Sequence, residues 1–368
     1  MTEQLKLKLN DSKATRWGAL VIVAFTMMAA YYVNDVVAPL KTMLETDLAW
    51  SSTDFGFFTG GYSFLNVFFL MLIWGGLILD RFGIRFTGKL ATILMVGGTA
   101  LEYYAMTGLA GTDATLFGIN EIFGYKTGVF VAFAGYSIFG VGAEVAGITV
   151  SKIIAKWFKG KELATAMGVQ VALARIGSQA GYAVAIPLAR AFGISTPVLL
   201  GLVLLLGGMI AFFVFTVMDK KLDKQMEAAA IAAGTEDEEE KFSFKDVKNI
   251  LVNPGFWLIA LLCVLFYSCV FPFQKFASEL MIIKYGINEN VAGTFAGLPA
   301  LGALILTPVF GGFIDKRGKS ASIMLLGSAM LICVHFIYAI PDINYWLVAI
   351  VLMIILGIAF SLVPSAMW

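Results

Sequence analysis

Ten apolar runs of about 20 residues or more follow one another along this chain, and nothing else in it restricts the fold so tightly. They fall at 17–40, 54–79, 88–108, 128–154, 163–189 and 195–218, and after a polar stretch at 256–281, 291–314, 320–340 and 345–368. A run of that length crosses the hydrocarbon core of a bilayer as a helix, where every backbone group must find its partner within the protein. The expected fold class is therefore an all-α polytopic membrane protein. The composition agrees, with 59% of residues hydrophobic and only 14% charged. The N-terminus is polar up to the first run, which is not followed by a small-residue cleavage site, so that run is read as a permanent span.

Lysine and arginine are sorted by side. They gather in the N-terminal tail (Lys6, Lys8, Lys13, Arg16), after span 2 (Arg81, Arg85, Lys89), after span 4 (Lys152 to Lys161), in the long loop after span 6 and after span 8 (Lys316, Arg317, Lys319). The loops between these are nearly devoid of them, which puts the N-terminus and the long loop in the cytoplasm. A net charge of +1, sorted in this way, argues against a nucleic-acid partner. Residues 1–218 are expected to form an N-terminal six-helix bundle, 219–255 a cytoplasmic linker with an acidic run at Glu236 to Glu240, and 256–368 a C-terminal bundle. The chain stops at Trp368 inside an apolar run, so the second bundle is expected to hold only its first four helices here.

One motif occurs twice. Gly76, Asp80, Arg81, Gly83 and Arg85 after span 2 match Gly311, Asp315, Lys316 and Gly318 after span 8: a Gly, three residues, an Asp, a base, any residue, a Gly. Six spans separate the copies, the mark of a duplicated six-helix unit. An Asp at a helix end beside basic residues in a tight Gly turn is expected to form charge-assisted bonds that lock a cytoplasmic gate. Each copy follows a helix with a small-xxx-small pair, Gly56/Gly60 and Gly293/Gly297, where backbones are expected to approach closely.

This duplicated motif resembles the signature loop of the major facilitator superfamily. The resemblance implies two pseudo-symmetric six-helix bundles, with a substrate site between them near the midplane. Tyr31-Tyr-Val-Asn-Asp35, Tyr62-Ser-Phe-Leu-Asn66, Trp157-Phe-Lys-Gly-Lys-Glu-Leu163, Ala174-Arg-Ile-Gly-Ser178, Phe271-Pro-Phe273 and Ala366-Met-Trp368 resemble the lysosomal dipeptide transporter branch of that superfamily. Two positions depart from it: Tyr136 stands where the branch has an arginine early in helix 4, and Lys275 where it has a small residue.

Two charges lie deep in the membrane. Arg175 is about 21 Å along span 5 from Lys161, and Glu144 about 18 Å along span 4 from Lys156, at the helical rise of 1.5 Å per residue. Opposite charges at one depth are expected to face each other or a shared watery cavity, since an isolated charge there costs roughly 2.5 to 3.5 kcal/mol. One reading is a structural ion pair between spans 4 and 5. The other comes from the resemblance, which implies that the acid of helix 4 and the arginine of helix 5 bind the amino and carboxyl groups of a peptide. Asn66 and Gln170, at a similar level, are candidates for bonding the peptide unit or a neighbouring helix; Tyr62 and Asp35, nearer the outer side, are candidates for the entrance or a gate. Lys275 and Glu279, spaced i to i+4, read as an ordinary helical ion pair. The single histidine, His335, reads as a packing or backbone-bonded residue.

The expected function is alternating-access transport of small zwitterionic solutes, dipeptides or short peptides first, with no obligatory ion coupling implied by the resemblance. The alternatives are a proton-coupled organic anion symporter with Arg175 as anion site and, from another class, a membrane receptor or scaffold, for which no loop is long enough to hold a domain. Neither a triad nor a Cys/His ligand set is present, so no enzyme, metal or cofactor is expected. The expected partners are a small peptide substrate and the lipid bilayer, with the protein a monomer without an accessory subunit. The sequon Asn10-Asp-Ser12 falls on the cytoplasmic side and the N-tail has no acidic dileucine signal, so a prokaryotic cytoplasmic membrane is expected.

Overall fold

The structure is a computed structural model and describes residues 8–111, 115–233 and 250–367. Its helices are α1 (Lys13–Val36), α2 (Lys41–Asp47), α3 (Ser52–Phe68), α4 (Met71–Thr107), α5 (Thr127–Trp157), α6 (Leu163–Phe192), α7 (Thr196–Ala233), α8 (Pro254–Ile283), α9 (Glu289–Ala296), α10 (Leu298–Arg317), α11 (Ser320–Ala339) and α12 (Trp346–Met367). A short hairpin, β1 (Glu121–Ile122) paired antiparallel with β2 (Tyr125–Lys126), lies in the outer loop before α5. All ten expected runs coincide with helix, but not one for one. Seven helical units among the described residues are long and apolar enough to cross a bilayer: α1 with α2, α5, α7, α8, α9 with α10, α11 and α12.

The remaining three runs depart from simple spans for physical reasons. The second is broken after Phe68, where Leu70 adopts a left-handed φ of 52°, and α3 meets α4 at a bend of 58°. Within α4 the chain turns again at Gly83 (φ 75°), joining the end of the second run to the third. Only glycine takes that backbone conformation without a side-chain penalty. The fifth run, α6, is too polar to qualify as a span by itself, since Gln170, Arg175, Ser178 and Gln179 interrupt it. Packing holds it instead: a Cβ on Gly177 would stand 2.1 Å from the Met28 carbonyl oxygen of α1, and one on Gly181 2.9 Å from that of Tyr32. In the same way Gly140 brings α5 onto α3, its Cβ position lying 2.3 Å from the Tyr62 carbonyl oxygen.

Two buried cores divide the molecule. One unites α1 to α7 around Phe55, Phe139, Trp157 and Phe215; the other unites α8 to α12 around Val270, Met281, Met353 and Leu356, and takes in Ala38 and Tyr182 from the first half. Val203, Ile210 and Val217, seven residues apart on α7, form an exposed apolar stripe suited to lipid. At the outer start of α3, Ser51 and Asp54 form a reciprocal capping box that satisfies two otherwise orphaned backbone donors.

The helix ends on the side of the basic loops are tied by charge. Asp219, fully buried on α7, accepts from Lys156 (2.7 Å) and from the Trp157 indole (3.0 Å), while Arg85 reaches Asp223 at 3.0 Å. The helix α7 runs past residue 218 to Ala233, so the expected domain boundary falls inside a continuous helix. The acidic run Glu236 to Glu240 lies outside the described residues. At the N-terminus Arg16 bonds Glu162 (2.7 Å) and Lys161 bonds Asp11 (2.7 Å). The bond from Arg16 holds the Glu162 carboxyl below the usual carboxylate range, and the bond from Lys161 does the same for Asp11.

Candidate functional site

Arg175 enters the space between the two cores from α6. Its guanidinium lies over the Tyr31 ring of α1 (5.6 Å to the centroid) and the Phe360 ring of α12 (5.1 Å), thus touching both halves of the molecule. Among the described residues it has no hydrogen-bond or ion-pair partner, although arginine carries five donors. Aromatic faces attract a cation without occupying those donors. Glu144 stands on α5, where Tyr62 of α3 donates its hydroxyl to Oε1 at 2.8 Å. The Tyr31 phenol is within electrostatic reach of Arg175, Glu144 and Asp35.

Glu144 and Arg175 therefore share one region of the cleft but form no ion pair with each other. The expectation of two charges near a common cavity agrees with this placement; a direct structural bridge between the helices does not. Tyr62 comes to the Glu144 side of the site. Asn66, one turn further on, donates to the Tyr62 carbonyl (3.1 Å), and its buried Oδ1 has no partner among the described residues. Gln170, half-buried on α6, has no hydrogen bond among the described residues. A separate concavity of about 470 Å³, lined by Phe273, Phe276, Glu279 and Lys284, contains neither charge of the central region.

Asp35 belongs to a different group, nearer the outer side. Lys275 crosses from α8 to donate to the Asn34 carbonyl (2.5 Å) and the Tyr136 hydroxyl (3.1 Å), and stands 3.6 Å from Asp35. The helical ion pair expected between Lys275 and Glu279 does not form. Glu279 instead accepts from Lys41 of α2 at 2.5 Å, and Lys41, almost fully buried, also bonds Glu45 (2.7 Å) and Ser52 (2.8 Å). Each residue of the i to i+4 pair meets a partner from the other bundle, in a site drier than a helix surface, where a desolvated charge is worth more. The positions that depart from the dipeptide transporter branch, Tyr136 and Lys275, thus touch each other.

The polar contacts between the bundles gather at this outer end. Besides these two lysines, Tyr182 donates to the Gln274 carbonyl (3.1 Å), and Arg190 bonds Glu289 and Asn290. Gly293 and Gly297 permit this closure: Cβ positions there would lie 2.2 Å from the Tyr182 carbonyl oxygen and 2.4 Å from the Gln179 side chain. Their expected counterparts in the first half, Gly56 and Gly60, have nothing within 4 Å, so the close approach expected there is absent. The neighbouring Gly61 makes it, 2.7 Å from the Phe133 carbonyl oxygen.

The duplicated motif lies at the helix ends on the side of the basic loops. Both of its second glycines have positive φ, 75° at Gly83 and 64° at Gly318, which explains why glycine recurs there. The expected bonds between Asp and the bases of its own turn are replaced by bonds to neighbouring helices: Asp80 pairs with Lys152 of α5 (2.9 Å), and Arg85 with α7. Helix geometry accounts for this, because Arg81 follows Asp80 directly and adjacent residues on a helix do not face each other. Arg81 rests on the Phe82 ring, Lys316 is exposed, and Gly76 and Gly311 have nothing within 4 Å. The Asp315 side chain lies outside the described residues.

Sequence reasoning missed four participants. Phe360 carried no signal beyond being aromatic in a span, and Tyr31 stood out only as the first residue of a stretch that resembles the dipeptide transporter branch. Lys41 stands directly after the first run, and no role attached to it there. Glu102 did carry one, as a carboxylate inside the third run, and ionisable residues within spans are functional candidates by default. His335 agrees with its reading: its two ring nitrogens lie 3.0 Å from the Leu331 carbonyl and 3.2 Å from that of Cys269.

Residues 19–368 match the family described as the Major Facilitator Superfamily. The lysosomal dipeptide transporter MFSD1 of Homo sapiens is 27% identical over 369 residues, an overlap of 96% of this chain and 72% of that protein. The MFSD1 of Danio rerio is 26% identical over 360 residues, with 95% and 71% covered. Among solved structures, the partially occluded inward-open xylose transporter XylE from E. coli aligns with a TM-score of 0.65 at 15% identity, over 95% of this chain and 85% of that one. The tetrameric PepTSo2 structure aligns with a TM-score of 0.64 at 12% identity, over 95% and 82%. Likeness at such identity establishes the fold alone.

Proposed function

This chain belongs to the major facilitator superfamily, and from that premise we propose that it carries dipeptides and short peptides across a membrane by alternating access. Arg175 takes the peptide carboxylate and Glu144 the amino group. The observation that carries this reading is the guanidinium of Arg175: deep in a membrane helix, it lies against two aromatic rings and has no acceptor among the described residues. Its planar fork matches a carboxylate at both oxygens, and Glu144 holds only a neutral hydroxyl. A zwitterion gives each charge its complement at once, so neither is left buried and unpaired. In this reading Tyr62, Asn66 and Gln170 bond the peptide unit.

The conformation fits one side of a transport cycle. Cross-bundle bonds at Lys41, Lys275 and Arg190 tie one end shut, and in this reading that end is the outer one and the substrate reaches Arg175 from the cytoplasmic side. Opening to the outside requires those bonds to break, and Asp35 is a gate residue in this reading. The motif residues Asp80 and Arg85 hold α4 to α5 and α7, and govern the rate of exchange between states.

A prokaryotic cytoplasmic membrane, with the N-terminus and central loop inside and the protein acting as a monomer without an accessory subunit, belongs to the same proposal. The sorting of basic residues supports the orientation. Asn10 of the sequon is buried against Lys161, which suits an unmodified cytoplasmic segment. The test is a thermal-shift screen of the purified protein with dipeptides, amino acids, sugars and organic acids. A ligand at 100 times its Kd stabilises by about 2.7 kcal/mol, so dipeptides are expected to raise the Tm clearly. Organic acids without an amino group that stabilise equally would favour an anion symporter instead.

A further inference from the structure

Glu102 of α4 has no place in the peptide site and none in the motif. It is fully buried, and among the described residues neither carboxylate oxygen has a hydrogen-bond partner. A carboxylate without a partner in a dry environment is so costly that such groups take up a proton instead. The fold presses Glu102 into this place: α4 and α5 are in backbone contact here, with a Cβ on Gly135 only 2.9 Å from the Glu102 nitrogen.

What faces Glu102 makes it more than a buried acid. From α5 comes Tyr136, next to that glycine, and from α8 of the other bundle comes Lys275, both within electrostatic reach. Behind them stand Asp35 of α1, 3.6 Å from Lys275, and Tyr182 of α6, within reach of Tyr136. With Glu102 neutral, Lys275 and Asp35 balance each other; with Glu102 ionised, the group carries one net negative charge, placed on a fully buried carboxylate. Lys275 is also one of the bonds that close the outer end, so leaving with α8 it removes the cation and admits the outer aqueous phase together.

We propose that Glu102 is a proton-binding site of the outer gate: it holds a proton while Lys275 is docked on Asn34 and Tyr136, and exchanges that proton with outside water when α8 moves away. The step is the dissociation of Glu102–COOH to carboxylate and hydronium, with no other reactant. The proton leaves to the outer water and is taken back from it on closing, so none crosses the membrane by way of this site, and the outer pH sets the balance between the closed and open gate. The gating part of this statement rests on the function proposed above; the proton site does not.

Two measurements test it. Infrared spectra of the wild type and Glu102→Gln in lipid nanodiscs are compared across a pH series. The wild type should show a protonated-carboxyl stretch at neutral pH that Glu102→Gln lacks, and that stretch should fade in Lys41→Ala, where the outer closure is weakened. A wild type without that stretch, or a stretch indifferent to Lys41→Ala, overturns the proposal. In proteoliposomes, dipeptide counterflow by the wild type should vary with the outer pH, whereas Glu102→Gln should keep counterflow and lose that dependence. The same dependence on outer pH in the wild type and in Glu102→Gln overturns the gating role. If no dipeptide moves at all, the peptide reading fails and the infrared series alone decides the proton site.

Discussion

Replacing Arg175 by glutamine separates a binding arginine from a structural one, and the expected sizes follow from its contacts. It lies over two aromatic rings, each worth about 0.5 to 1 kcal/mol at a partly exposed site. Arg175→Gln should therefore cost about 1 to 2 kcal/mol of stability, less than the roughly 3 to 5 kcal/mol of a broken buried ion pair, because no partner is orphaned. Binding should suffer more. A carboxylate held by the fork gains two charge-assisted bonds of about 1.5 to 3 kcal/mol each, and glutamine restores part of one. A net loss of about 2 to 4 kcal/mol corresponds to a Kd raised roughly 30- to 700-fold. The assay is calorimetric titration of a dipeptide and its C-terminal amide into both proteins, a double-mutant cycle across the proposed contact. Amidation should weaken binding to the wild type by a similar factor and change little in Arg175→Gln. A folded variant with wild-type affinity, or an amide bound by the wild type as well as the free acid, would refute the reasoning. A stability loss well above 3 kcal/mol would reveal a partner for the guanidinium in another conformation.

Three further outcomes are expected. Gly177→Ala places a methyl 2.1 Å from the Met28 carbonyl oxygen, which must push α6 from α1 at a cost of about 1 to 3 kcal/mol; thermal unfolding should show it, and peptide affinity should fall as Arg175 shifts from Tyr31. Asp80→Asn removes the bond to Lys152 between half-exposed side chains, a change of about 1 kcal/mol or less in stability, so it should slow counterflow while leaving equilibrium affinity intact; equal loss of affinity counts against a gating role. Asp11 and Glu162, held below their ordinary values of 3.8 and 4.5 by Lys161 and Arg16, contribute stability that is whole above those values and is lost as pH falls through the lowered ones. Hydrogen exchange at residues 9–12 should accelerate only below about pH 4, and acceleration already at pH 6 would contradict the assignment.

The apolar length of the runs and the repeated Gly-Asp turn are local or periodic properties, and they determined the membrane class and the duplicated bundle. The depth of Glu144 and Arg175 was equally legible, because helical rise is the same in every helix. What a charge meets is another matter. Lys275 and Glu279 share a helix face, yet one bonds Asn34 and the other Lys41, residues more than 230 positions away in the chain. Arg175 and Glu144 share a depth, yet aromatic rings and a tyrosine hydroxyl take the places beside them. Only the packing of α8 and α12 against the first bundle decides these partners. A buried charge is settled by whichever group lies nearest in three dimensions and by the exclusion of water around both, and neither quantity exists until the helices are assembled.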